Sequence, residues 1–196
     1  MLRKMVFAIC ITITLTSCVT TRRFFIEVNG FGNDASIAEK TYQLWPSNAV
    51  AENQLLFDEV KSYVIKIMGE KGYRYIENGN KASLVILLDY GIANSAFVSG
   101  NMVTGNSITT YTPQYGTYTR YIKMTAYDLQ KYLATKEEKQ IWVTSAVSTG
   151  SSIDIRLVIP YMLTAMKEYI GKSTGKILEF CLLEGSTEVN SLIGNQ

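Results

Sequence analysis

Alternating and helically spaced apolar residues divide the chain into elements. Phe24–Val28 alternates and reads as a strand that turns at Asn29-Gly30; Lys40–Trp45 reads as a second strand, stopped by Pro46. Over residues 49–71, Leu56, Val60, Tyr63, Val64 and Ile67 share one face of a helix, with Asn48 as cap and Glu52 in the first turn. Lys71 suits the negative helix end, and Gly72 supplies a left-handed stop. Tyr73–Glu77 and Ala82–Tyr90 flank Asn78-Gly79, which predicts a hairpin, and the run Leu84–Leu88 predicts a central strand covered on both faces.

The second half repeats the pattern. Arg120–Asp128 alternates, with Ile122, Met124 and Ala126 on one face and Tyr121, Lys123, Thr125 and Tyr127 on the other. Gln140–Ser148 predicts its hairpin partner, and the charged LQKYLATKEEK between them reads as a solvated tip. Ser152 or Asp154 caps a second helix that continues through Leu163, Met166, Lys167 and Ile170 to Gly171; Pro160 either sets its start near Val158 or kinks it. Ile177–Leu183 predicts a short final strand or packed tail, and residues 185–196 read as polar and mobile. The sum is a single α+β domain over residues 23–184, a mostly antiparallel sheet with two main helices packed on one face.

Tyr90–Thr119 breaks this pattern because it contains no charge at all, and residues 91–119 read as an unusually long loop. Tyr111, Tyr115, Tyr118 and Tyr121 recur there every three or four residues among Thr, Gly and Gln. Tyrosines on small polar neighbours give contact area at low entropic cost, which suits stacking on sugars or docking on a partner. The plainer alternative is a hairpin excursion whose tyrosines cover the sheet.

Composition and leader change the picture next. Arg3 and Lys4 precede the apolar and hydroxylated run Met5–Ser17, too short to span a bilayer and suited to a secretory leader. The run ends Leu15-Thr16-Ser17-Cys18, which resembles the lipobox of bacterial lipoprotein precursors. That resemblance implies loss of residues 1–17, acylation of Cys18 and a short tether at 18–22. Several acyl chains on one residue make a durable anchor where one chain binds only marginally. Val19 follows the cysteine where an aspartate would imply inner-membrane retention, so the resemblance implies the outer membrane, on its periplasmic face.

Loss of Arg3 and Lys4 lowers the Lys+Arg count from 19 to 17, against 17 acids, so the mature chain is formally neutral. No basic run remains for nucleic acid. Cys10 leaves with the leader and Cys18 carries lipid; Cys181, within ILEFCLL, reads as buried and inert. The chain has no histidine, which removes the commonest general base and most zinc sites. Asp58-Glu59 and Glu137-Glu138 read as solvated pairs, and Asp89 and Asp128 as caps near strand ends that could approach one another. Gly30-Phe31-Gly32-Asn33-Asp34-Ala35 lacks room for a dinucleotide-binding crossover before Trp45-Pro46. Gly171-Lys172-Ser173 follows a helix instead of opening one, and Ser173-x-x-Lys176 lacks its companion motifs. No catalytic, metal or cofactor residue emerges.

The motifs EKTYQLWP, EKGYRYIENGNKASLVILLDYG, YIKMTAYDL, IWVTSAVSTGS and DIRLVIPYMLTAMKEYIG, in that order from about Lys40 to Gly175, resemble domain-of-unknown-function family 4136 of bacterial lipoproteins. The resemblance implies an α+β domain with helices against a mostly antiparallel sheet, and it supplies no catalytic residues. The reading that follows is a non-enzymatic envelope protein, anchored through Cys18, that binds a periplasmic partner protein. A module for a glycan, a peptidoglycan fragment or a lipid, with a pocket lined by tyrosines and Trp45 or Trp142, is the alternative; an envelope hydrolase ranks third.

Overall fold

The structure, a computed structural model, describes residues 21–37, 39–47, 50, 53–77, 82–98, 115–135 and 139–194, with the backbone alone at Ser36, 94–98, Tyr115 and Thr135. Seven strands form one sheet: β1 (Arg23–Gly32), β2 (Thr41–Pro46), β3 (Arg74–Tyr75), β4 (Leu84–Val98), β5 (Tyr115–Asp128), β6 (Gln140–Gly150) and β7 (Leu178–Leu183). Their order is β3-β2-β4-β5-β6-β1-β7. Helices α1 (Gln54–Glu70), α2 (Leu129–Thr135) and α3 (Ile155–Met166) pack against it, and α4 (Thr187–Ile193) packs on α1 and α3. The α+β single domain expected from the sequence is what forms. The sheet is mixed, because β2 runs parallel to both β3 and β4 while the other pairs are antiparallel.

One face of the sheet carries the main core. Phe24, Ile26 and Val28 of β1, Leu84, Ile86 and Leu88 of β4, Ile122, Met124 and Ala126 of β5, and Trp142 and Ala146 of β6 all point to it. They meet Phe57, Val60, Val64 and Ile67 of α1, and Val158, Ile159, Met162 and Met166 of α3. The helical spacing read in α1 is therefore a buried stripe. On the opposite face α2 covers only one corner, where Val85, Tyr127 and Leu129 are buried beside Trp45, Leu87 and Tyr132. The β1–β6–β7 part of that face has no helix over it among the described residues.

Several expectations are corrected. β1 does not turn at Asn29-Gly30: it stays paired with β6 through Gly32. Gly30 serves close packing, since a Cβ there would lie 2.5 Å from the Lys172 carbonyl oxygen. The hairpin over 73–77 and 82–90 does not form, because β3 and β4 occupy opposite edges of β2, pairing Thr41↔Arg74 and Tyr42↔Leu84. Tyr42 holds the β3 side, its ring lying 6.2 Å from that of Tyr73 and 5.6 Å from that of Tyr75. Asn78-Gly79 and Asn48 lie outside the described residues; the helix is capped by Asn53, whose side chain accepts from the Leu56 N–H at 3.1 Å.

LQKYLAT is helix α2, not a solvated tip: Leu129 is buried, and Tyr132 packs against Tyr127 and Trp45. α3 starts at Ile155 behind Asp154, with Pro160 inside it, so the later start near Val158 is excluded. The tail expected to be polar and mobile forms helix α4, which buries Val189 and Leu192, and Lys66 donates to the Ser191 carbonyl. Gly72 stops α1 as expected, at φ 79°, whereas α3 ends at Met166, and a 3-10 turn over Lys167–Tyr169 and an extended Ile170 separate it from Gly171, at φ 74°. Among the described residues no helix is long and apolar enough to cross a membrane.

Candidate functional site

The uncharged stretch is largely framed by strands. β4 and β5 pair antiparallel over their whole length, from Leu84↔Asp128 to Val98↔Tyr115, with a bulge between Ile92 and Asn94. β6 accompanies β5 only as far as Tyr118↔Gly150. Beyond that point the two strands continue as a two-stranded arm. Both flanks of the 91–119 loop are thus strand, and residues 99–114 lie outside the described residues.

Arg120 fixes the base of the arm. Its position on β5 falls in phase with Ile122, Met124 and Ala126, so the guanidinium points into the helix-covered face and is buried. Nε donates to the Ser148 carbonyl at 3.2 Å, one terminal nitrogen to the Ser152 carbonyl at 2.7 Å, and the other to Ser148 Oγ at 3.3 Å. Gly150 makes room, since a Cβ there would lie 3.0 Å from the guanidinium. Burial lowers the Arg120 pKa from its ordinary value. No ion pair to a carboxylate is seen for it among the described residues, so the charge is held by carbonyl and hydroxyl dipoles.

The four tyrosines do not form one stripe. Tyr111 lies outside the described residues, and Tyr115 opens β5 opposite Val98. Tyr118 and Tyr121 are three apart on a strand and so face opposite sides of the sheet. Tyr118 lies against Gly116, whose added Cβ would meet its hydroxyl at 3.1 Å. Tyr121 covers Gly91, and its hydroxyl donates to Asp89 at 3.5 Å; Ser47 donates to the same carboxylate oxygen at 2.8 Å. Burial first, then the Asp89 charge, push the Tyr121 pKa up. Both residues are half-buried; Tyr118 packs along the first residues of the arm, and Tyr121 lies below its base, level with Val147 of β6.

Other candidates resolve into structural roles. Asp89 sits inside β4 opposite Lys123, whereas Asp128 ends β5 and accepts from the Lys131 N–H at 3.0 Å, so the two carboxylates do not converge. Asp58 accepts from Gln54, and Glu59 is paired with Arg156 at 2.9 Å; Glu137-Glu138 lie outside the described residues. Among the described residues no group of three or more metal-ligating side chains is seen. Cys181, expected in the core, is exposed, because it occupies an outward position on the alternating edge strand β7.

A cleft of about 650 Å³ opens at the end of the sheet away from the arm, lined by Asn33, Glu39, Ser83, Asp128, Lys131 and Lys139 among others. Among the described residues no aromatic side chain lines it. Trp142 is buried in the core, and Trp45 donates to Gln43 at 3.2 Å beside Tyr132. The aromatic-lined pocket anticipated for a small ligand is therefore not built around either tryptophan.

No family model matches the chain. The resemblance to family 4136 thus rests on the quoted motifs. No curated protein matches either. Among solved structures the chain is similar to the PelC dodecamer from Paraburkholderia phytofirmans, at 10% identity and TM-score 0.45, over 76% of this chain and 99% of that one. It is also similar to a minor lipoprotein from Acinetobacter baumannii, at 11% identity and TM-score 0.39, over 72% and 98% of the two chains. A PDZ domain protein from Parabacteroides distasonis is similar at 12% identity and TM-score 0.45, over 82% of this chain and 39% of that longer one.

Proposed function

We propose that the protein is a lipid-anchored, non-enzymatic component of the bacterial cell envelope that engages a partner protein at the periplasmic face of the outer membrane. The observation that carries the reading is the β4–β5 arm, an uncharged strand pair continuing past the end of β6 from a base clamped by Arg120. A protruding, uncharged, tyrosine-bearing strand pair lets a partner bury it without desolvating charge. The motif Leu15-Thr16-Ser17-Cys18 supports the anchor.

Two measurements test the reading. Envelope proteins recovered by in-cell cross-linking should be lost when residues 92–119 are replaced by a short turn; equal recovery removes the arm from the function. Cys18→Ala should abolish lipid-dependent membrane fractionation, and a mature N-terminus without acyl chains in the mass spectrum defeats the anchor. A small-ligand role has the 650 Å³ cleft in its favour. Calorimetric titration with cell-wall fragments should then give heat that Asp128→Ala or Lys139→Ala removes.

A further inference from the structure

The strand register places the start of the folded domain and the arm at the same end of the sheet. Ile26 pairs with Ser148, which pairs with Arg120 on its other side, so Phe24 stands level with Gly150 and Tyr118. Two further steps toward the N-terminus bring Arg22 level with Gly116, two strand spacings away, or about 10 Å. β4 and β5 therefore leave the sheet in the direction from which the chain arrives.

The chain that precedes this end is short. Thr21 is the first described residue, and three residue steps separate it from Cys18. At full extension those steps cover about 11 Å, so an acylated Cys18 keeps this end of the sheet within that distance of the lipid headgroups. A domain held so closely cannot turn every face to water.

The side chains grouped there suit such a position. On the face opposite the helices Phe25 is 61% exposed and Leu183 48% exposed. Cys181 pairs directly with Phe25, and Leu183 with Arg23, so three apolar side chains lie on neighbouring strands. Arg22 and Arg23 are exposed at the rim, with Glu184 adjoining through its N–H to the Arg22 carbonyl. One pair further from the N-terminus the character reverses: Glu27 stands opposite Glu179. Two cations with one carboxylate beside them, then an apolar patch, then two further carboxylates follow one another along β1 and β7. A corner that rests on a bilayer suits basic side chains at the phosphates, exposed apolar ones beside them in the headgroup interface, and most acids kept farther from anionic lipid.

We propose that the corner of the sheet formed by Arg22, Arg23, Phe25, Cys181 and Leu183 rests on the phospholipid surface, with Glu27 and Glu179 marking where the domain leaves it. This deepens the reading above and rests on the anchor at Cys18. It orients the domain with its strands rising from the membrane and the arm directed toward the bilayer, so that the partner is met at the membrane plane and not in the open periplasm.

Cys181 is a built-in reporter, because acylation of Cys18 leaves it as the sole free thiol of the mature chain. The acylated protein is placed in vesicles of phosphatidylethanolamine and phosphatidylglycerol and treated with a charged, membrane-impermeant maleimide. The reference is the chain made without residues 1–18, which retains every described residue. Cys181 should react at least tenfold more slowly on the vesicle, and Phe25→Glu with Leu183→Glu should restore the rate. A thiol placed at the far end of β7 by Ile177→Cys, in a Cys181→Ser background, should react alike in both forms. Equal rates at Cys181 overturn the proposal while leaving the anchor intact, which intact mass reports separately. Protection accompanied by a Cys181 disulfide between copies on mild oxidation replaces the lipid with a second copy at the open β7 edge. A mature chain without acyl groups removes both the anchor and this orientation.

Discussion

Arg120 and Asp34 show how single charged residues organise this domain by different means. Arg120 is buried and has only neutral acceptors among the described residues, so its contribution is geometric: it ties β5, β6 and the β6–α3 connection into one corner. Arg120→Ala strands the Ser148 and Ser152 carbonyls and removes packing, and should cost about 2–3 kcal/mol in urea unfolding. Asp34 joins the β1–β2 connection to two other places. Its Oδ2 accepts from Lys40 at 2.7 Å and from Tyr73 at 2.9 Å, and its N–H donates to the Gly171 carbonyl at 2.9 Å. Burial pushes its carboxyl up, but the hydrogen bonds from Lys40 and Tyr73 and the charges of Lys40 and Lys172 outweigh this, and the pKa falls below an ordinary aspartate's 3.8. A carboxylate with a depressed pKa stabilises the fold above its unfolded value, and that contribution is lost as the pH falls through the folded value. Asp34→Asn should therefore cost about 1 kcal/mol at neutral pH. The wild-type advantage should vanish in unfolding curves taken well below pH 3.8.

At the scale of elements, α4 is the sharpest test of the described packing. Its two buried residues, Val189 and Leu192, dock on the α1–α3 layer. Leu192→Ala should cost about 2–3 kcal/mol, read as a lower urea midpoint at unchanged slope. If the tail were solvated, the substitution would be silent. α1, β5 and β6 were legible in the sequence because each repeats its period over many residues, and burial rewards the whole period. α4 was not, because Val189, Leu192 and Ile193, though helically spaced, span barely one turn and sit in an otherwise polar stretch. The Asn-Gly hairpin failed for a different reason: a local turn preference was outweighed by two open edges on β2 and by the aromatic contacts of Tyr42. The arm was half legible. Lack of charge singled it out, but tyrosines spaced by three or four suggest a helical stripe, and strand alternation separates Tyr118 from Tyr121. Arg120 left one usable trace, since it occupies the apolar phase of β5's alternation. Its acceptors are mostly backbone carbonyls, which no residue pattern announces.

For the whole molecule, the order β3-β2-β4-β5-β6-β1-β7 puts the first strand between the last two. Ile26 needs Ser148, and Arg23 needs Leu183. A chain ending at Gly150 would lack β7, α3 and α4, and with them the layer that covers Phe24, Ile26 and Val28. Such a fragment should be cut by protease throughout β1, whereas the full chain should be cut outside its strands; limited proteolysis with mass mapping distinguishes the two. Pairings this distant along the chain also make for slow folding. A polypeptide threaded across a membrane amino end first would hand over its opening strand long before that strand's neighbours had emerged. Throughout translocation β1 would wait without a partner, and the sheet would close only in the last moments of export. If Cys18 is acylated as proposed, that step would precede folding, and the domain would assemble already moored.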